Sequence, residues 1–274
     1  MKKKAHPYRV RPKKKLGQHF LTDERVAKRT ADLLDANDVN VALEIGPGNG
    51  VLTDHLLRKI NHLIAVELDY ESIPVLRQRF AQALDLPEKR KSFEILHQDV
   101  LKMDVGELAE KHGQLAIIGN FPYNISSQIL FQLLENRNDV PFLAGMFQKE
   151  VAERVAAKEG SKTYGILSVL TQAFYQVEYA FTVEKEAFYP PPKVTSAVIS
   201  LHRLKEPLIH ENIDLFFRVV KKSFQLRRKT LRNSLKTFQL SDKLRQDRIF
   251  AQRPEQLSVP QFVELTKKIA HDGN

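Results

Sequence analysis

Two rhythms of apolar and polar residues run along this chain. Residues 22–36 put Val26, Ala27, Leu33 and Leu34 on one helical face behind Thr22, Asp23 and Glu24. That pattern predicts a helix with Thr22 as its N-cap. Short apolar runs then recur at 41–45, 62–66, 93–96, 115–119 and 142–147, each suited to a buried strand. Helical segments fall between them at 51–60, 70–86 and 125–134, and Pro74 sits where only a first helical turn tolerates it. Strands alternating with helices predict βαβ units and a mostly parallel sheet covered on both faces. Beyond residue 149 come helices over 150–158 and 164–174, then strands over 176–183 and 196–201 that could pair antiparallel. Pro190, Pro191 and Pro192 make the link between those strands extended and stiff. From residue 213 the pattern is helical throughout. The expected fold is therefore α/β with a small all-helical C-terminal domain, divided as a basic arm (1–15), a sheet-bearing domain (16–205) and a helical domain (206–274).

The strand ends carry the candidate chemistry, as they do in open α/β sheets. Gly46-x-Gly48-x-Gly50 leaves one strand and opens a helix, and glycines there let the backbone turn tightly and approach a ligand. Glu67 ends the next strand, 21 positions after Gly46. An acid at that place can accept from both ribose hydroxyls of a nucleoside cofactor. Asp99 follows the third strand, where a simple loop cap is the plainer reading. Asn120-Phe121-Pro122-Tyr123 follows the fourth. That run resembles the Asn/Asp-Pro-Pro-Tyr signature of amino methyltransferases, whose target, an exocyclic adenine amine, is a poor nucleophile because its lone pair is delocalised into the ring. The Asn120 side-chain oxygen and a neighbouring backbone carbonyl can each accept one of its protons. Pro122 fixes the turn, and Tyr123 offers a face for a flipped base.

Charge changes the picture of the partner. The chain has 274 residues, a formal net charge of +10 and a pI near 9.6. Lys2, Lys3, Lys4, Arg9, Arg11, Lys13, Lys14 and Lys15 form one acid-free block. Arg218, Lys221, Lys222, Arg227, Arg228, Lys229, Arg232 and Lys236 form another. Two such blocks suggest one polyanion footprint, and nucleic acid is the better reading of a pI this high. The absence of cysteine excludes disulfides, thiolate metal sites and a cysteine nucleophile of the kind used to methylate pyrimidine C5. No apolar run nears the ~18 residues of a membrane span, so a soluble cytoplasmic protein without membrane or metal is expected.

Seven segments together carry a resemblance. They are 15–21, 43–53, 66–69, 98–100, 120–126, Phe188-Tyr189-Pro190-Pro191-Pro192-Lys193-Val194 and Arg227-Arg228-Lys229-Thr230-Leu231-Arg232-Asn233. In this order they resemble the small-subunit rRNA adenine N6,N6-dimethyltransferase family, the kasugamycin-sensitivity enzymes, over most of the chain. The resemblance implies a Rossmann-like class I methyltransferase sheet and S-adenosylmethionine as cofactor. It implies dimethylation of two adjacent adenines near the 3′ end of 16S rRNA, within a pre-30S particle, by a monomer. His19, Leu21, Gly46, Glu67, Asp99 and Asn120 would bind the cofactor, with Asp99 accepting from its adenine amine. Asn120, Pro122, Tyr123 and Phe188 would form the catalytic set, Phe188 sandwiching the target adenine with Tyr123. Arg227, Arg228 and Lys229 would grip rRNA. The family commonly has Asn at the position of His19 and Leu at that of Phe121. Three alternatives stay open at this point: a macrolide-resistance methyltransferase acting on large-subunit rRNA, a non-catalytic ribosome-assembly factor and a small-molecule dehydrogenase.

Overall fold

The computed structural model describes residues 10–37, 39–84 and 92–272. The expected basic arm falls partly outside them, at residues 1–9. Two compact units emerge: Met1–Lys149 with Tyr179–His202, and Glu150–Glu178 with Arg203–Asn274. The sequence pattern placed a single cut near residue 205. The helices after residue 149 instead belong to the second unit, where the helix at 166–172 packs on those at 213–225 and 259–272.

In chain order the first unit contains β1 (Phe20–Leu21), α1 (Glu24–Asp32), β2 (Val41–Ile45), α2 (Val51–Lys59) and β3 (His62–Glu67). It continues with α3 (Ser72–Arg79), α4 (Ala81–Leu84), β4 (Ser92–His97), α5 (Val105–His112), β5 (Leu115–Asn120), α6 (Ser126–Glu135) and β6 (Phe142–Gln148). Then come β7 (Tyr175–Val183), whose first residues belong to the second unit, β8 (Phe188–Tyr189) and β9 (Ser196–Arg203). The main sheet has the order β4-β3-β2-β5-β6-β9-β7. From β4 to β6 every pair is parallel, and β9 joins β6 antiparallel. Central strands covered on both faces need continuous apolar runs, and all five residues of β2 are buried.

Local chemistry sets the boundaries. Asp23, not Thr22, caps α1, accepting from the backbone N–H groups of Arg25 and Val26. Thr22 is drawn away because its hydroxyl donates to the Ala187 carbonyl at 3.0 Å. The register sets Gly119 of β5 beside Gly145 of β6, and the Phe121 ring lies over both. A methyl on Gly119 would come within 2.9 Å of that ring, and one on Gly145 would collide with it. This glycine pair makes room for the phenyl ring of Phe121. Phe121 is buried and meets Phe147 edge-on at 5.1 Å.

The second unit is built on α7 (Lys149–Ala156), α8 (Ile166–Gln172), α9 (Ile213–Gln225), α10 (Leu231–Ser234), α11 (Asp242–Arg245) and α12 (Val259–Asp272). Helix α9 buries Phe216, Val219, Val220 and Ser223, spaced for one helical stripe. Phe224 stacks on Phe262 of α12 at 5.8 Å and meets Tyr164 at 6.1 Å.

Candidate active site

A cavity opens at the carboxyl ends of β2, β3 and β5, the place such sheets use for ligands. It is lined by Ile45, Gly46, Val66, Glu67 and Asn120 from the strand ends and by the loops that follow them. Gly46, Gly48 and Gly50 have φ of 69°, 56° and 78°, a region in which side chains are strained. An added methyl on Gly48 would also come within 2.7 Å of the Phe20 ring. On Gly46 it would meet nothing nearer than Pro122 at 3.8 Å, so the space over that glycine is open toward the cavity.

Glu67 ends β3 with its carboxylate held from behind. Gly48 N–H donates to one oxygen at 3.1 Å and Asp69 N–H to the other at 2.8 Å. Burial raises its pKa, and those two donors oppose the rise. Asp99 both caps and lines: one oxygen accepts from Leu101 N–H at 3.1 Å, and the side chain borders the cavity. Its second oxygen has no protein partner among the described residues. Leu68 and Leu101, 50% and 37% exposed, give the same wall two apolar faces.

His19 ties three parts of the site together. Its backbone carbonyl accepts from the Asn120 side-chain amide at 2.8 Å. Its ring Nδ1 lies 2.7 Å from the Pro190 carbonyl, which can only accept, so Nδ1 carries the proton. The ring also stacks on Tyr123, with centroids 5.6 Å apart and an interplanar angle of 26°. Because the Asn120 nitrogen is committed to His19, its oxygen is the atom left to accept. The Pro122 carbonyl accepts from Ile125 N–H at 3.1 Å and closes the turn. The Tyr123 hydroxyl is bonded to Ser196 Oγ, and burial raises its pKa, so it stays a neutral phenol.

The cavity gathers His19, Gly46, Glu67, Asp99, Asn120, Pro122 and Tyr123. Leu21 borders a smaller neighbouring pocket beside Gly46 and Asn120. Phe188 lies elsewhere. It is 3% exposed and packs with Leu21, Met146, Val183 and Val198, and it lines neither pocket. The cause is the two-residue ladder of β1 with β8, which pairs Leu21 with Phe188 and Phe20 with Tyr189 and turns Phe188 inward. Arg227, Arg228 and Lys229 belong to the second unit, just past α9. The Arg227 guanidinium donates to the Ser161 carbonyl at 3.1 Å, while Arg228 and Lys229 are exposed. On α9 itself, Arg218, Lys221 and Lys222 line an open cleft with Gln225, Thr237 and Phe238.

Several contributors escape sequence reasoning. Ser196 lies 73 positions from Tyr123, and no spacing rule links them. Gln18 lines the cavity and donates to Asp69 at 3.1 Å. Lys13 bridges Asp69 at 2.6 Å and Glu71 at 3.1 Å and lies over the Tyr70 ring. Residues 10–18, read from sequence largely as a basic arm, are thus fastened beside the cavity. Leu68 and Leu101 could have been found, since each is an apolar residue within two positions of a candidate acid.

The donor set fits S-adenosylmethionine. Two carboxylates stand where nucleoside hydroxyls and amines can donate, apolar faces stand between them, and open space lies over Gly46. Among the described residues no lysine or arginine lines the cavity, which disfavours a pyrophosphate and suits a cofactor that carries a sulfonium cation instead.

Comparison with known proteins agrees. The sequence model for ribosomal RNA adenine dimethylase matches residues 9–269. The Ribosomal RNA small subunit methyltransferase A of Flavobacterium johnsoniae is 54% identical over 265 residues, covering 97% of this chain and 98% of the relative. That of Parabacteroides distasonis is 53% identical over 260 residues, covering 94% and 93%. Among solved structures, a dimethyladenosine transferase from Plasmodium falciparum superimposes with a TM-score of 0.77 at 24% identity, covering 93% of this chain and 98% of that one. The 23S rRNA methyltransferase ErmE gives 0.68 at 22% identity, covering 92% and 99%. These two likenesses show the fold, an α/β class I methyltransferase sheet. With one model spanning nearly the whole chain and relatives above half identity, the chain belongs to the ribosomal RNA adenine dimethylase family.

Proposed function

We propose that this protein transfers methyl groups from S-adenosylmethionine to N6 of two adjacent adenines near the 3′ end of small-subunit rRNA, dimethylating each. The observation that carries the reading is the orientation of Asn120, whose nitrogen is held by the His19 carbonyl so that its oxygen faces outward to accept. When bound, S-adenosylmethionine supplies an electrophilic methyl group on a sulfonium.

Glu67 accepts from the cofactor's ribose hydroxyls, and its own carboxylate is kept in place by Gly48 and Asp69. Asp99 accepts from the cofactor's adenine amine. Gly46 leaves the backbone open for close approach. Asn120 Oδ1 and the Phe121 carbonyl each accept one proton of the target amine, which draws the nitrogen toward a pyramidal shape with its lone pair free. The amine proton grows acidic as the new bond forms, so no strong base is required, and it passes to solvent. Tyr123, fixed at its hydroxyl by Ser196 and stacked by His19, presents a pre-set ring to the flipped base. Such a ring costs little further ordering on binding. Phe188 packs behind Leu21, which borders the neighbouring pocket. After the first transfer the singly methylated amine has one proton left, and the pocket must turn it and hold it through one acceptor.

Arg228, Lys229 and the α9 cations contact phosphates, which positions the RNA without reading its sequence. The substrate is a pre-30S particle, the protein acts as a monomer, and ribosomal RNA as target places it in the cytoplasm. A large-subunit target, as in the name of ErmE, is the nearest rival. Relatives of about half identity are named for the small subunit, which favours the first reading. The test is incubation of the purified protein with tritiated S-adenosylmethionine and unmodified subunits of each kind. Label should enter small-subunit rRNA, and labelling of the large subunit alone would refute the proposal.

A further inference from the structure

At the opposite end of β3 from Glu67, three side chains converge that methyl transfer does not use. His62 begins β3, Glu94 lies on the edge strand β4, and His112 is the last residue of α5. Their ligand atoms lie within 4.8 Å of one another. The two imidazoles stack with centroids 4.4 Å apart at 25°. Nε2 of each ring is sealed from solvent and makes no hydrogen bond among the described residues. Glu94 Oε1 is 3.3 Å from His62 Nε2.

We propose that His62, Glu94 and His112 bind one divalent transition-metal ion of the zinc class, fastening the end of α5 to the edge of the sheet. The donor set selects this class. Two imidazole nitrogens and one carboxylate suit zinc, cobalt or nickel, whereas magnesium and calcium prefer oxygen ligands. The Nδ1 of His62 is bonded to Ser92 Oγ. When Nδ1 donates to that hydroxyl oxygen the Nε2 lone pair is free, which is how a second hydrogen bond usually orients a metal-binding histidine. The plain reading, an imidazole stack with an ion pair from His62 Nε2 to Glu94, leaves the sealed His112 Nε2 without a partner. That is costly for buried polar atoms.

Tetrahedral zinc, with bonds of about 2.0–2.1 Å, places its ligand atoms roughly 3.3 Å apart. The cluster must therefore close by about 1 to 1.5 Å. His112 ends its helix and the Glu94 side chain is 38% exposed, so both can move. Three protein ligands leave a fourth position for water.

The test uses the full-length protein stripped with chelator. Calorimetric titration with zinc chloride should give one saturable site, and cobalt(II) should develop tetrahedral d–d absorption. Zinc should raise the unfolding temperature of the wild type. In His112→Gln, binding should weaken at least tenfold, on the order seen when a metal site loses an ordering partner, and both the absorption and the thermal gain should vanish. Glu94→Gln should weaken binding as well. His271→Gln, a change at an exposed histidine near the C-terminus, should bind as the wild type does. Retained methyl transfer in His112→Gln confirms that the variant is folded. Undiminished zinc binding in His112→Gln, or no saturable binding up to millimolar zinc, would overturn the proposal.

Discussion

Tyr123 and Glu44 show how single side chains are set by neighbours far away in sequence. The hydroxyl of Tyr123 is held by Ser196 and its ring by His19. If the ring is a stacking platform, Tyr123→Ala should lose the ~1–3 kcal/mol that stacking a base supplies. Turnover on rRNA should then fall about 5- to 150-fold, read as kcat/KM. Tyr123→Phe keeps the ring and loses only the tether, so its loss should stay below about tenfold. Glu44 is buried in the centre of the sheet, accepts from the Thr53 hydroxyl at 2.7 Å, and is pushed by burial from 4.5 to about 8. Between those values the folded chain keeps a proton on Glu44 that the unfolded chain has released. Raising the pH through the window therefore draws the chain toward unfolding. At ~1.36 kcal/mol per unit the full effect is on the order of a few kcal/mol. Glu44→Gln retains an acceptor for Thr53 and removes the titration. Its unfolding temperature should thus rise relative to the wild type as the pH goes from 4.5 to about 8, and parallel pH profiles would count against this account of Glu44.

Elements were legible where periodicity carried them. The strands at 41–45, 62–66 and 115–119 announce themselves as apolar runs, and the structure has β2, β3 and β5 there. The turn after β2 was readable from its glycines. Gly48→Ala should cost about 1–2 kcal/mol in backbone strain alone and more from displacing Phe20, 2.7 Å away. A lowered unfolding temperature together with weakened S-adenosylmethionine binding in calorimetry would bear this out. The two-residue strands β1 and β8 were not readable, because a pair of residues has no period. Their pairing decides that Phe188 faces the core while Tyr189 is 50% exposed; an apolar Phe188 taken alone reads as core, and it is the partner strand that could not be foreseen. The same limit hid the cap of α1, since Thr22 and Asp23 are both capping residues and it is a distant carbonyl at Ala187 that takes Thr22. Among the site residues, those fixed by strand ends were visible. Those fixed by tertiary contact, Ser196 and the Pro190 carbonyl, were not.

At the scale of the whole molecule, charge and division into units govern the encounter with RNA. The chain carries +10 overall, and among the described residues no lysine or arginine lines the cavity. Arg228 and Lys229 are exposed, while Arg227 is already bonded to Ser161. Replacing Arg228 and Lys229 together by alanine should weaken RNA binding and lower the slope of log affinity against log salt by roughly 1.4 to 1.8, at ~0.7–0.9 per phosphate contact. An unchanged slope in filter-binding assays would remove these two residues from the interface. The order of the units along the chain was only partly visible, because the strands read at 176–183 and 196–201 kept the two helices before them in the sheet-bearing domain, yet residues 150–178 belong with the C-terminal helices. The central claim is that the Asn120 cavity makes dimethyladenine in small-subunit rRNA. Its most direct test is mass spectrometry of nucleosides from that rRNA in cells lacking this protein, complemented by wild-type or Asn120→Ala protein. Wild type should restore N6,N6-dimethyladenosine, and Asn120→Ala, expected to lose about 100-fold or more in rate, should leave it scarce or absent. Dimethyladenosine at full level without the protein, or fully restored by Asn120→Ala, would contradict the account.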